Sequence, residues 1–160
     1  MSTKKSDLGP GLLETDAITV RLLEERDLEA IVRIDASAGR TRREYYRDRV
    51  SAAVKQSRIR TSLVAEVDGS VVGFLMATTY YGEFGIAEPT AVVDSIGVHV
   101  EFRGKKVGAA MMRQFMMNVK ALNVRQVRTD VAWNDTELIH FFDKNGFVPG
   151  GRIVLERNIE

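Results

Sequence analysis

From Val92 the chain reads VVDSIGVHVEFRGKKVGAA, an apolar strand that runs through a basic, glycine-bearing turn straight into a helix. A helix start leaves its first amide N–H groups without an intrahelical acceptor and carries a partial positive charge. Arg103, Gly104, Lys105, Lys106, Val107, Gly108 and Ala109 therefore bring backbone donors, small residues and cations to one junction, which suits an anion and phosphate above all. Gly104 and Gly108 let a backbone come close to a diphosphate, while Arg103, Lys105 and Lys106 neutralise it. The blander alternative is a basic turn that does no more than enter a helix.

The residues after the junction restrict its topology. Val107, Met111, Phe115, Val119 and Leu122 recur at three- and four-residue steps, and Met112, Met116 and Met117 widen that stripe enough to pack on a sheet. Arg125 to Ala132 alternates as a further strand, so strand, helix and strand form a crossover unit with parallel strands. Ligands of such units sit at the carboxyl ends of the strands, where the loop from Arg103 to Ala109 emerges.

Composition narrows the class. With 160 residues, 44% of them apolar, the chain suits one globular domain over 17–160, preceded by a loose tail over 1–16. That tail lacks an apolar stretch long enough for a secretory signal, and no apolar run reaches the roughly 18 residues of a membrane span. A cytoplasmic location without membrane association is expected. There is no cysteine, and His99 and His140 stand alone, so neither a thiolate nucleophile nor a bound metal is expected. A net charge of +1 argues against a specific nucleic-acid partner. Arg40, Arg42, Arg43, Arg47, Arg49, Lys55, Arg58 and Arg60, against only Glu44 and Asp48, form a basic segment that is either a solvated helix face or a surface for an acidic substrate.

Taken in order, Ala17 to Leu22 alternates as a strand, and acids from Glu24 to Asp27 open a helix that Gly39 stops. A second helix from Arg42 to Gln56 buries Tyr45 or Tyr46 along with Val50, Ala53 and Val54. Ser62 to Val67 and Val71 to Thr79 are strands joined by Asp68-Gly69-Ser70, residues tolerant of positive φ. Tyr80, Tyr81 and the glycines up to Gly85 form a loop suited to covering a cleft. Ala91 to Val98 is the fourth strand, and Asp94 is an acid inside its apolar run. Such a carboxylate is either hydrogen-bonded for structure or tuned as a base. Trp133, Asn134 and Asp135 start the last helix, Asn145-Gly146 ends it, and Phe147 to Val148 and Arg152 to Ile159 are expected to close the sheet.

Arg-Gly-x-x-Val-Gly-Ala at a strand-to-helix junction resembles the acyl-CoA loop of the GNAT superfamily of N-acetyltransferases, R/Q-x-x-G-x-G/A, whereas the dinucleotide and Walker fingerprints are absent. Lys106 stands where that family has its first loop glycine, and Gly108 keeps the second. FFDKNGF resembles the second signature, N-x-x-A-x-x-x-Y-x-x-x-G-F. Gly146-Phe147 match it, Phe142 takes the place of the tyrosine general acid, and Asp135 rather than Asn134 falls at the asparagine. The resemblance runs from about Thr19 to Ile159.

It implies a mixed α/β fold: a central, mostly antiparallel sheet with a parallel strand-helix-strand acyl-CoA unit and about four helices. It implies acetyl-CoA as cosubstrate and transfer of the acetyl group to a primary amine on a small molecule, a peptide N-terminus or a lysine. By the same resemblance, Ile96, Gly97, Val98, the loop Arg103–Ala109, Asn134, Asp135, Phe141 and Phe142 are expected at the cofactor, and Tyr45, Tyr46, Tyr80 and Tyr81 on the acceptor side. Phe142 keeps open a non-catalytic acyl-CoA sensor, a nucleotide-binding α/β protein is a third reading, and a homodimer stays open as the assembly.

The chemistry asks for a group to take the amine proton. Asp94 and Asp130, on strands flanking the expected thioester, are the favoured bases, ahead of Glu66 and Glu83. Asp94 gains weight if it shares a face with Ile96 and Val98. A thiolate leaves without a strong acid, so Tyr80, Tyr81, Ser95, His140 or water suffices as donor. Backbone amides around Ile96, Gly97 and Val98 would meet the developing oxyanion, with Gly97 allowing local irregularity or close packing on a helix.

Overall fold

Strand propensity and turn chemistry act first at the hairpin. Asp68 (φ 50°) and Gly69 (φ 77°) both adopt positive φ, the two-residue turn whose twist matches its flanking strands, and Ser70 already belongs to the second of them. The computed structural model describes residues 18–56, 59–82, 85 and 87–160. The expected 1–16 tail, Arg58, Glu83 and Phe84 lie outside the described residues. Strands β1 (Ile18–Leu22), β2 (Leu63–Val67), β3 (Ser70–Tyr80) and β4 (Thr90–Val98) pair antiparallel in chain order, and β5 (Gln126–Thr129) joins β4 in parallel at the end of the sheet. The helices are α1 (Leu28–Ser37), α2 (Arg43–Ser51, continued by a π turn over Ala52–Gln56), α3 (Val107–Ala121) and α4 (Thr136–Lys144). This is the mixed, mostly antiparallel architecture with a parallel crossover that the sequence implies. No helix among the described residues is long and apolar enough to cross a membrane.

The chain divides into two compact units, residues up to Asp130 and Val131–Glu160. In the first, alternation along β3 sorts the layers. A Cβ on Gly73 would lie 2.9 Å from Val107 Cγ1 and 3.0 Å from Met111 Cε, so α3 rests directly on that glycine. The next residue, Phe74, faces the other way into a core of Ile31, Ile34, Tyr46, Val50 and Met76, with its ring 5.4 Å from that of Tyr46. Tyr46 is the buried member of its pair, at 2% exposure against 43% for Tyr45.

Two buried aspartates fasten α1. Asp27 accepts two 2.8 Å bonds from the Arg21 guanidinium and one from the Glu24 amide, and Arg21 also donates to Glu66 at 2.8 Å. Asp35 receives Arg42 Nη2 at 2.7 Å and Nε at 3.1 Å, with Arg40 at 3.3 Å. Burial pushes the Asp27 carboxyl up, but Arg21 and the Glu24 amide outweigh it and hold it below its ordinary value. Arg42 holds the Asp35 carboxyl down against desolvation. Both folded-state values are depressed, so both contributions are present above the unfolded carboxylate range and vanish as pH falls through the folded values. Denaturant unfolding measured at successive pH values is expected to show stability flat near neutrality and falling below about pH 4. In Asp35→Asn that loss should be shallower.

Two expectations fail. β5 stops at Thr129, so Asp130 lies beyond the strand rather than on it. In the second unit no strand forms over Phe147–Val148 or Arg152–Ile159, and the segment after α4 stays outside regular structure. Apolar alternation makes a segment ready to be a strand, but only a neighbouring edge supplies the ladder that makes it one.

Candidate active site

The site forms where β4 breaks step with both neighbours. Toward β3 the register runs from Met76↔Ser95 to Ala77↔Val93, so Asp94 is an extra residue in a bulge. Toward β5 the pairing ends at Val93↔Thr129, with Thr129 Oγ1 donating to the Val93 carbonyl at 3.0 Å. Among the described residues up to Asp130, no strand pairs with the β5-side edge of β4 from Asp94 to Val98. Gly97 lies in this open stretch. A Cβ there would sit 2.6 Å from Phe74 Cε1 and 3.5 Å from Ile34 Cγ2, so the glycine admits the aromatic ring from β3 more than it accommodates a helix.

The bulge also decides which way side chains point. Asp94 and Ser95 both turn toward α2: Asp94 Oδ2 lies 2.6 Å from Arg49 Nη2 and accepts from Thr78 Oγ1 at 2.8 Å, and Ser95 Oγ is 3.4 Å from the Tyr45 hydroxyl. Ile96 and Val98 pair with Leu75 and Gly73 and share their α3-side face. The condition that Asp94 share a face with Ile96 and Val98 is thus not met, because one extra residue reverses the alternation. Both contacts to Asp94 fall on Oδ2. Arg49 Nε is buried without a hydrogen-bond partner.

Tyr45 and Tyr46 separate in role. The Arg42 guanidinium lies 5.6 Å from the Tyr45 ring centroid and 5.3 Å from that of Tyr46, bracing both. The Tyr46 hydroxyl donates to Asp35 at 3.3 Å and accepts from Arg42 at 2.8 Å. Burial pushes it up to about 12, against the pull of Arg42, so it stays neutral. Tyr46 lines the floor of a shallow pocket with Asp35, Phe74, Gly97, Val98 and Arg103, whereas Tyr45 reaches the bulge with much of its surface exposed.

The basic junction carries its own signature. A short 3₁₀ turn over Val100–Phe102 leads to exposed Arg103, Gly104, Lys105 and Lys106, after which α3 begins. Its first intrahelical bond runs from Ala110 N to Lys106 O at 3.0 Å, so the amides of Val107, Gly108 and Ala109 have no intrahelical acceptor. Arg103 Nε reaches the Val98 carbonyl at 3.4 Å, tying the loop to the open edge of β4. Gly104 (φ 73°) and Lys106 (φ 66°) are both left-handed. A side chain there costs roughly 1–2 kcal/mol, offset by about 0.5–1 kcal/mol of extra chain entropy when glycine replaces it. Lys106→Gly is therefore expected to raise the melting temperature by about 1–4 °C in thermal unfolding. Lys106→Ala, which keeps the strain, should give no such gain.

The remaining candidates fall elsewhere. Asp130 is exposed, Glu66 is engaged by Arg21, and Tyr80, the last residue of β3, is exposed along with Tyr81 after it. In the second unit Asn134 and His140 are exposed, and Asp135 Oδ1 caps α4 by accepting from the Leu138 amide at 3.1 Å. Phe142 is buried, with its ring 5.4 Å from Phe141 and 4.9 Å from Phe147, and brings no proton to any reaction. Sequence reasoning missed Arg49 and Thr78 as partners of Asp94. Arg49 stood out only as one cation in a basic run, and nothing local to Thr78 announced it.

The model of the "Acetyltransferase (GNAT) family" matches residues 26–147. The "Putative phosphinothricin acetyltransferase YwnH" of Bacillus subtilis (strain 168) is 28% identical over 142 residues, covering 84% of this chain and 86% of that protein. An N-alpha-acetyltransferase of Sulfurisphaera tokodaii is 33% identical over 90 residues, 52% of this chain and 54% of that one. Among solved structures, the aminoglycoside N-acetyltransferase AAC(6')-Iy in complex with CoA has the same fold, with a TM-score of 0.74 at 17% identity over 88% of this chain and 94% of that one.

Proposed function

This chain belongs to the acetyltransferase (GNAT) family, and from that membership we propose how its own residues carry the reaction. It is an N-acetyltransferase with acetyl-CoA as cosubstrate, and its acetyltransferase relatives do not favour the non-catalytic reading. Residues 17–160 act as one acyltransferase domain, a reading supported by a family match that runs across the division after Asp130.

The diphosphate of the cosubstrate is held at Arg103–Ala109. The residues fit it: three helix amides without acceptors, and exposed Arg103, Lys105 and Lys106 to balance the charge. The thioester carries the acetyl group to the open edge of β4, where backbone amides between Ile96 and Val98 meet charge developing on its carbonyl oxygen. The acceptor amine enters over the Tyr45, Ser95 and Asp94 face, its nitrogen bonds to the acetyl carbon, and the carbon–sulfur bond breaks. The nitrogen's proton goes to Asp94 Oδ1, directly or through one water, because Oδ2 already holds Arg49 and Thr78. The thiolate, a tolerable leaving group with a thiol pKa of about 8.5, leaves without an acid and takes up through water the proton that Asp94 received from nitrogen, which returns Asp94 to its carboxylate form.

The observation that carries this reading is the coincidence of the Asp94 bulge with the point where β5 leaves β4. It also bears on the acceptor. Asp94 has one carboxylate oxygen left for the amine, and an α-amine, roughly a quarter neutral near pH 7.4, asks less of it than a lysine amine, neutral about one time in a thousand. We therefore assign the acceptor to amino acids or peptide N-termini, in keeping with the N-alpha-acetyltransferase relative. Thiol release from acetyl-CoA over a library of paired α-amine and ε-amine acceptors tests it. The expected result is turnover concentrated on α-amines, and a preference for ε-amines would refute the assignment.

A further inference from the structure

We infer that Arg40, in the turn between α1 and α2, is a phosphate-binding residue for acetyl-CoA, a cation supplied from outside the loop Arg103–Ala109. The inference rests on the proposed placement of the diphosphate at that loop. Its first support is the rigidity of the turn. Gly39 (φ 79°) ends α1 in the left-handed conformation that glycine adopts without steric cost, and its amide donates to the Ala36 carbonyl at 2.9 Å. The Arg40 amide donates to the Asp35 carbonyl at 3.2 Å, while Arg40 Nε lies 3.3 Å from Asp35 Oδ1. Backbone and side chain of Arg40 are therefore both anchored on one residue of the last helical turn.

The end of α1 is also fastened to the entry of the basic junction. The Ser37 hydroxyl donates to the Ile34 carbonyl at 2.6 Å and accepts from the Val100 amide at 3.2 Å, which ties it to the 3₁₀ turn leading into Arg103. Arg40 and Arg103 accordingly line the same shallow pocket, together with Asp35, Tyr46, Gly97 and Val98.

Charge decides what such a pocket takes. Asp35 is the one acid among its lining residues, and it already accepts from Arg42 at 2.7 and 3.1 Å and from the Tyr46 hydroxyl at 3.3 Å. One carboxylate thus answers two guanidiniums, and Arg40 is held less closely than Arg42. The excess positive charge of Arg40 and Arg103 calls for an anion from outside. An α-carboxylate on the acceptor does not reach it. Val98 is four residues beyond Asp94, about 13 Å along the strand, whereas that carboxylate is one carbon from the attacking amine. A phosphate bound at the junction is the anion that the Ser37–Val100 tether brings beside Arg40.

Calorimetric titration of the full chain with CoA at several salt concentrations tests the assignment without any acetyl transfer. Arg40→Gln is expected to weaken CoA binding about tenfold, the loss of one charge-assisted contact, and to make the affinity less sensitive to salt. Arg40→Lys, which keeps the charge, should recover most of both. Thermal unfolding of Arg40→Gln should stay close to the parent, because Asp35 keeps Arg42 and Tyr46. Arg47→Gln removes a cation of α2 that pairs with Glu44 and should bind CoA like the parent. An Arg40→Gln variant with the parent's CoA affinity overturns the inference, and so does a loss that leaves the salt dependence unchanged or that Arg40→Lys shares in full. The underlying placement fails separately, through a Gly108→Glu variant that still binds CoA like the parent.

Discussion

Asp94→Asn is expected to lower turnover by roughly two to four powers of ten, while the affinity for CoA stays nearly unchanged. The amide keeps the size of the carboxyl and still accepts from Thr78, so the bulge and the open edge of β4 should survive. What it loses is the capacity to take a proton from the attacking nitrogen. It also leaves Arg49 without its counterion, and thermal unfolding of the variant separates that structural cost from the chemical one. Steady-state kinetics with the best α-amine, beside calorimetric titration of CoA, gives the comparison. Asp130→Asn, at an exposed position beyond β5, should stay close to the parent rate. Full turnover in Asp94→Asn together with loss in Asp130→Asn would move the base off β4 and refute the assignment.

Gly108→Glu is expected to weaken CoA binding by roughly a hundredfold or more. Gly108 is the second residue of α3, among the amides that have no intrahelical acceptor, so a carboxylate there competes for those donors and repels a diphosphate. Two like charges about 4 Å apart near a protein surface differ from neutrality by ~4 kcal/mol, which is ample for that loss. The fold should not suffer, because glycine inside a helix is less favourable than most replacements by about 0.5–1 kcal/mol. Gly108→Ala serves as the control for bulk without charge. Micromolar binding that persists unchanged in Gly108→Glu would remove the diphosphate from this loop.

Much of the fold was legible because much of it is local. The Asp68-Gly69 turn, the stripe from Val107 to Val119 that faces β3, and the left-handed Gly146 after α4 each follow from residues within one or two turns of chain. The basic junction was legible for the same reason: strand, turn and helix start are consecutive, and their unpaired amides are a property of any helix beginning there. Even the anomaly at Lys106 was visible as a departure from a family glycine, and the backbone explains it, since the position is left-handed.

The proposed catalytic neighbourhood was legible only in Asp94 itself. Its partners lie on α2 and β3, and its direction depends on one extra residue in β4 that no pattern within the strand reveals. Alternation read from sequence assumes an unbroken ladder, so it put Asp94 with Ile96 and Val98, and the bulge put it with Ser95 and Tyr45 instead. The choice of Tyr46 over Tyr45 for the core rested likewise on where Phe74 and Asp35 stand across the layer. The strand expected at Arg152–Ile159 has the composition for pairing but does not form as one. Sequence by itself determined most of the elements, the turn chemistry and the basic strand-to-helix junction, because hydrophobic period, backbone preference and helix-end electrostatics act between near neighbours. Register, the opening between β4 and β5, and the partners of each buried charge were decided by the tertiary structure, because a hydrogen-bond ladder and an ion pair join residues that the sequence keeps far apart.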